Sequence, residues 1–342
     1  MKIKEFIEKY DTQNQFEVLK NSYKQVINAW NNKIDLSNLK KNKYSTIVYC
    51  GLGGSSISGD LLVDYLSGEL SIPFIVVRGY DLPAGVNKDT LIIISSYSGN
   101  TEETISCFNQ ALKKNCKIVA ITSGGKVEQE AIKYKIPLIK IESGFQPRYA
   151  LYLGFFSILK LMQEIGFVNE DQLVKKIIDL LSKRGEELSK ENSRAVHIAE
   201  QLIGFIPVIY SAGFLSSAAY RFKCQINENS KLHAFHHILP EMNHNEIIGY
   251  ESYKEKQLNA KVIYLLDKDY LPQLLKRFNI LKELLSNQKL DILSLESSEN
   301  DKKVRIMDLI FLCDWISFYA AVLRGYDPSE IDFILEMKKR LN

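Results

Sequence analysis

Apolar and polar positions along this chain follow two rhythms, and the points where one passes into the other carry most of the information. From Ser45 to about Glu142, short runs rich in β-branched residues (TIVYC, PFIVVR, TLIIISS, KIVAITS and PLIKI) alternate with stretches whose apolar residues recur every three or four positions. The runs suit strands of a buried parallel sheet, and the stretches between them read as helices ending near Leu66, Lys114 and Lys135. Such alternation predicts a doubly wound α/β unit with helices on both faces. The first forty residues read as one or two amphipathic helices, with Phe6, Ile7, Phe16, Leu19, Tyr23, Val26, Ile27 and Trp30 in helical spacing, packed on the outside of that unit.

After long helices over Tyr149 to Gly166 and Glu170 to Gln201, a second unit begins. FIPVIYSAG (205–213) repeats the strand that ends in small residues, and a helix containing AAYRFKCQINENSK comes after it. Further strands are expected at KVIYLLD and LDILSLES, and helices at about 270–286, 303–324 and 328–341. The chain thus reads as an N-terminal helical segment (1–40), a first α/β domain (41–150) and a second, similar one (151–342).

Two strand-to-helix transitions stand out. IVYCGLGGSSISGDLLVDYL (47–66) and IIISSYSGNTEETISCFNQ (92–110) each pass from a β-branched run through small and hydroxyl residues into a helix. Glycine lets a ligand approach the backbone, a helix start offers unpaired N–H groups, and hydroxyls beside them favour an anion. Neither loop has the GxxxxGK[ST] or GxGxxG spacing, since Gly51, Gly53 and Gly54 are followed by Ser55, Ser56 and Ile57. Ser95, Ser96, Ser98, Asn100, Thr101 and Thr104, with Glu102 and Glu103 at the helix start and no P-loop lysine, suit a sugar phosphate better than a nucleotide. The plain alternative is that these hydroxyls only cap helices. In open parallel sheets ligands sit beyond the carboxyl ends of the strands, where both loops fall. The second half lacks such a loop, so one phosphate site per chain is expected.

Composition narrows the classes. A chain of 342 residues, 46% hydrophobic, can build two domains with cores of their own. A net charge of +3 without a dense basic block disfavours nucleic acid. Cys50, Cys107, Cys116, Cys224 and Cys313 are scattered and lack CxxC spacing, which fits ordinary thiols in a reducing compartment. The charged start MKIKEFIEKYDTQNQF resembles no signal peptide, and no uninterrupted apolar run of about 18 residues occurs, so a cytoplasmic location is the expectation.

Residues able to move protons lie in the second half. Glu228, in NENSK at the end of a helical pattern, and His244, sixteen residues later in PEMNHNE, are a carboxylate and an imidazole on separate elements, able to act as general base and ring-opening acid on one small substrate. A solvated helix-end carboxylate and a polar turn histidine are the bland alternatives. His233, His236 and His237 raise the question of a metal, but HAFHH lacks the HExxH pattern and has no compact carboxylate set beside it, so none is expected. Arg148, in QPRY, offers a fixed positive charge where the first unit ends, to stabilise an enediolate or hold an anion, or else for an interdomain salt bridge. Lys338, Lys339 and Arg340 read from charge alone as a basic last helical turn.

Together GLGGSS (51–56), SSYSGNTEET (95–104), FQPRYAL (145–151), YRFKCQINENSK (220–231), PEMNHNE (240–246) and GYDPSEIDFILEMKKRL (325–341) resemble the bifunctional phosphoglucose/phosphomannose isomerases, built from two sugar isomerase (SIS) domains. The resemblance runs from about residue 40 to the end. The hydroxyl loop alone would indicate only a SIS domain, whereas NENSK followed by PEMNHNE is far more specific. It implies a cofactor-independent interconversion of fructose 6-phosphate with glucose 6-phosphate and mannose 6-phosphate through a cis-enediol. Glu228 then matches the catalytic base, His244 the ring-opening histidine, usually given by the neighbouring subunit of a homodimer, and Arg148 the arginine beside the enediolate. Gly54, Ser55, Ser96, Ser98 and Thr101 match the phosphate and sugar loops. The family's C-terminal lysine falls on Lys338, with Lys339 its competitor. The rivals are a non-catalytic SIS-domain phosphosugar sensor, which would need neither Glu228 nor His244, and an aminosugar isomerase, which would not obviously keep the NENSK and NHNE pair.

Overall fold

Parallel pairing of the apolar runs organises the computed structural model, which describes residues 2–36, 39, 43–255 and 259–341. The chain divides into two compact units, one formed by Ser22–Asp179 and the other by Met1–Asn21 with Leu180–Asn342.

In the Ser22–Asp179 unit, β1 (Thr46–Cys50), β2 (Phe74–Val77), β3 (Thr90–Ser95), β4 (Lys117–Thr122) and β5 (Leu138–Lys140) form one parallel sheet in the order β2-β1-β3-β4-β5. Every residue of β3 is buried, as a central strand covered on both faces requires. Between the strands run α4 (Gly54–Tyr65), α5 (Glu102–Lys113) and α6 (Gly125–Lys133). Phe108 and Ala111 of α5 and Val127 and Ala131 of α6 join Val48, Ile92, Ile94, Ile118 and Ala120 in one core. Strand order reverses between β1 and β3, and this switch point puts the two hydroxyl loops side by side.

The helix α7 (Leu151–Glu164), expected to open the second domain, belongs to the first unit. It packs on α3 (Ser22–Asn31) and α4, and Gln25 Nε2 donates to the Tyr149 carbonyl at 2.9 Å. Trp30 Nε1 donates to Asp171 (3.0 Å) and the Tyr65 hydroxyl to Glu170 (3.0 Å), so polar contacts bind the next turn as well. The division between units falls within α8 (Asp171–Leu188). The expected boundary between residues 40 and 41 lies outside the described residues.

The second unit carries β6 (Ile206–Ala212), β7 (Phe235–Leu239), β8 (Ala260–Leu265) and β9 (Ile292–Leu295), parallel and in the order β7-β6-β8-β9. Strand β7 reads FHHIL, so its histidines hid it from the hydrophobic pattern. The helices are α1 (Ile3–Tyr10), α2 (Gln15–Lys20), α9 (Arg194–Gln201), α10 (Ser216–Ser230), α11 (Pro272–Asn287), α12 (Lys302–Leu323) and α13 (Asp332–Leu341). Among the described residues the N-terminal segment therefore makes three helices rather than one or two, and α1 and α2 fall in this unit rather than on the outside of the first. Asp11 accepts the N–H groups of Gln15 and Phe16, and the left-handed Asn14 breaks the chain between α1 and α2.

Helix α12 is the core of this unit, with every residue from Lys303 to Val322 buried. It is long and apolar enough to cross a membrane, but the apolar window is 94% buried within the protein, as befits a central helix. Trp315 takes Phe16 of α2 edge-on at 5.3 Å and stacks on Tyr319 at 5.4 Å. Helix α10 lies against α12 through the bidentate pair Arg221–Asp314, both bonds 2.9 Å long and the side chains 3% and 1% exposed. Asp314→Ala removes the carboxylate facing a buried guanidinium and is expected to lower the unfolding free energy by about 3–5 kcal/mol. Urea denaturation checks this, with Lys4→Ala, from an exposed helical pair with Glu8, expected to leave stability unchanged.

Candidate active site

In the Ser22–Asp179 unit the phosphate-loop candidates are stitched into one surface. Gly54 begins α4, and a Cβ there would lie 3.1 Å from the Pro147 carbonyl, so the absent side chain lets the turn bearing Arg148 approach the first loop. Ser55 Oγ accepts the Tyr97 N–H at 3.3 Å, and the Tyr97 hydroxyl accepts the Phe145 N–H at 2.9 Å. Tyr97, which no sequence pattern singled out, thereby ties both loops to the Arg148 segment. Arg148 itself is 4% exposed, with its guanidinium over the Tyr149 ring at 5.5 Å.

The second loop is held by backbone crowding. Gly99 has φ +69°, and a Cβ on it would sit 1.7 Å from the Gly124 carbonyl. Ser96 Oγ lies 2.9 Å from Thr101 Oγ1 and accepts the Gly99 N–H at 3.1 Å, while Ser98 Oγ accepts the Asn100 N–H at 3.3 Å. Asn100 Oδ1 in turn accepts from the Lys126 N–H at 3.0 Å, fixing the loop to the start of α6. Ser96 is buried, Thr101 half-buried and Ser98 exposed, so the hydroxyls run from the floor of the loop to its rim. Thr104 turns inward instead, its buried hydroxyl having no hydrogen-bond partner. Thr101 is the N-cap of α5 but its hydroxyl, paired with Ser96 Oγ, makes no side-chain cap, so the first-turn N–H groups of α5 have no capping acceptor from it and make a candidate anion site.

In the second unit the matching switch point, between β6 and β8, is filled by protein. The Tyr270 hydroxyl accepts the Ala212 N–H at 3.1 Å and donates to the Leu265 carbonyl at 3.1 Å. Arg305, 1% exposed, bonds Asp267 at 2.7 and 2.9 Å and Asp269 at 2.5 Å. An internal guanidinium and a tyrosine thus occupy the switch point in this unit, where the first unit has glycines and hydroxyls.

Helix α10 brings Glu228 two turns beyond Arg221, at the border between the face packed on α12 and the half-buried stripe of Tyr220, Cys224 and Asn227. The end of α10 is anchored. Asn229 Nδ2 donates to Ser317 Oγ (3.0 Å), Ser230 Oγ to the Ser317 carbonyl (2.8 Å), and the left-handed Lys231 donates through Nζ to the Asn229 and Asp327 carbonyls. Glu228 is half-buried on this anchored segment.

His244 ends a 3₁₀ turn, Glu241–His244, and is exposed. Of the other histidines, His236 packs on the Tyr220 ring at 5.6 Å. Burial, with repulsion from His237 and Lys223, lowers its pKa to about 4, so it is neutral at physiological pH. His237 Nδ1 lies 2.9 Å from Glu246 Oε2. Among the described residues no group of three or more His, Cys, Asp or Glu side chains could hold a metal ion. Lys338 and Lys339 lie in the last turn of α13, a helix that buries none of its residues.

Residues 39–144 match the SIS domain family, and residues 191–341 match the bacterial phospho-glucose isomerase C-terminal SIS domain. The chain is 37% identical to the bifunctional phosphoglucose/phosphomannose isomerase of Caldicellulosiruptor bescii, over 95% of this chain and 98% of that one. It is 36% identical to the protein of the same name from Aquifex aeolicus, over 92% and 97%. Among solved structures, the C-terminal domain of glucosamine-fructose-6-phosphate aminotransferase from Francisella tularensis superposes with a TM-score of 0.67 at 16% identity, covering 93% of this chain and 96% of that one, which speaks for the fold alone.

Gly99→Ala adds a methyl group where the Gly124 carbonyl already sits, so it is expected to displace the hydroxyl loop and weaken binding of inorganic phosphate by about tenfold or more. Gly85→Ala, where an added Cβ meets nothing within 4 Å, is the control and leaves binding unchanged in the same titration calorimetry.

Proposed function

Because this chain belongs to the bifunctional phosphoglucose/phosphomannose isomerase family, we propose that it interconverts fructose 6-phosphate with glucose 6-phosphate and mannose 6-phosphate through a cis-enediol. The observation that carries the reading is the hydroxyl-lined loop at the start of α5, within a chain related to these isomerases along nearly its whole length.

The phosphate binds at Gly54, Ser55, Ser96, Ser98 and Thr101, where hydroxyls and the N-terminal N–H groups of α5 meet its charge. Glu228 removes a proton from C1 of the open-chain ketose as the C2 carbonyl becomes an enediolate oxygen; the O1 hydroxyl proton passes to O2, and Glu228 returns its proton to C2 as the C1 carbonyl forms, giving the aldose. His244 moves the ring-oxygen proton that opens the cyclic sugar. Arg148 offsets the negative charge that develops on the enediolate oxygens, and its burial strengthens that interaction. Lys338 adds a second cation at the substrate. The steps call for a carboxylate base, a ring-opening imidazole and a fixed cation, with no net oxidation, so neither a redox cofactor nor a metal is required. Both C2 epimers arise because the planar enediol has lost the configuration at C2, given room for the C2–C3 bond to turn before reprotonation.

The protein acts in the cytoplasm as a homodimer in which His244 of one copy completes the site of the other. Its exposure on the single chain and the free state of all five cysteines support this arrangement and location.

The test is conversion of fructose 6-phosphate by EDTA-treated protein over a dilution series, following the two aldose phosphates separately. Both products are expected, with specific activity falling below the dimer dissociation constant. Glucose 6-phosphate alone would refute dual specificity, full activity in a demonstrated monomer would refute the shared site, and binding without turnover would make the protein a phosphosugar sensor.

A further inference from the structure

His244 is an exposed side chain on a segment otherwise fixed at both ends, and the fixing is uneven. On its N-terminal side Met242 is fully buried and Asn243 Oδ1 accepts from Arg277 Nη1 at 3.3 Å. On its C-terminal side Glu246 uses both carboxylate oxygens. Oε1 accepts the Tyr210 hydroxyl at 2.5 Å, and Oε2 lies 2.9 Å from His237 Nδ1. Tyr210 on β6 and His237 on β7 are paired neighbours in the sheet, so the two oxygens span adjacent strands. With its own hydrogen directed at Glu246, the Tyr210 hydroxyl accepts from that of Tyr250 at 2.7 Å. Burial keeps both phenols protonated, Tyr210 and Tyr250 each being raised above the ordinary tyrosine value. The Glu246 N–H goes to Asn245 Oδ1 at 2.7 Å, closing the segment directly after His244.

We propose that Glu246 is the positioning residue for His244, its carboxylate pinning the PEMNHNE segment to β6 and β7 so that the imidazole two residues earlier is held at the ring oxygen of the sugar. The proposal rests on the isomerase reading above and adds to it a residue that touches no substrate. A carboxylate is suited to the place because it accepts two hydrogen bonds from different strands at once, whereas an apolar residue would leave the buried Tyr210 hydroxyl without its acceptor. Displacement of a catalytic group by about 1 Å costs on the order of a hundredfold in rate, so the pinning has kinetic weight.

The role is separable from general structural damage by the substrate. Fructose 6-phosphate is cyclic and needs ring opening, while 5-deoxyfructose 6-phosphate lacks the hydroxyl that closes the furanose and is always open-chain. Isomerisation of both sugars is measured for the parent, His244→Ala, Glu246→Ala and Glu246→Gln proteins. Expected is a loss of about tenfold to a hundredfold in kcat for fructose 6-phosphate in Glu246→Ala, with KM and turnover of the 5-deoxy sugar near parental, matching the pattern of His244→Ala. Glu246→Gln, which still accepts from Tyr210, recovers part of the loss. Tyr210→Phe, which takes away one of the two side-chain bonds, gives a smaller loss in the same sense and serves where Glu246→Ala does not fold. Equal losses on both sugars, or parental turnover of fructose 6-phosphate in Glu246→Ala, would overturn the proposal while leaving the isomerase reading intact. A parent inactive on both sugars would overturn the isomerase reading and this proposal with it.

Discussion

The Arg221–Asp314 pair is the constraint on which the second unit depends. Two bonds of 2.9 Å join side chains that are 3% and 1% exposed, and Gln225 Nε2 adds a third contact to Asp314 at 3.3 Å. A planar guanidinium against a carboxylate admits one orientation, so the pair fixes both the rotation and the height of α10 against α12. Asn229 and Ser230 then repeat the fixing further along the helix, on Ser317. Glu228 inherits its position from these contacts, and the base role proposed for it, which requires reaching two adjacent carbons of a small sugar, gains from a helix that cannot roll.

The two sheets share a strand order and use it differently. Each reverses direction next to its first strand, which leaves a crevice at the carboxyl ends. In the first unit small residues and hydroxyls line it, and the proposed mechanism gives them the phosphate. In the second, Tyr270 and the Arg305–Asp267 pair close it with groups that satisfy one another. The phosphate-type residues therefore lie on one unit, and Glu228, His244 and Lys338 on the other.

Much of the fold was legible in the sequence because its signals are local. Strand-to-helix alternation placed β1 to β6, β8 and β9, and the hydroxyl loops after β1 and β3 were readable as a candidate anion site. What escaped was held by contacts between distant positions. The FHHIL strand carries two histidines on a half-buried edge and shows no apolar period. The Gly99 turn is dictated by the Gly124 backbone, and the partner of Arg221 lies 93 residues away, distances over which residue type alone carries no pairing information. Likewise α7 reads as the start of something new, whereas its side chains pack on α3 and α4. The roles of Glu228, His244, Arg148 and Lys338 came from resemblance, since a carboxylate, an imidazole and two cations at those spacings are each compatible with ordinary surface or capping positions.

The most direct measurement is turnover and ligand binding side by side in Glu228→Gln, a change that keeps shape and hydrogen bonding at the end of α10 but removes the base. Turnover of fructose 6-phosphate is expected to fall by about a hundredfold to ten-thousandfold while the affinity for it stays near that of the parent. Turnover close to parental in a folded Glu228→Gln protein would contradict the assignment of this residue as the base and, with it, the proton-transfer mechanism built around α10.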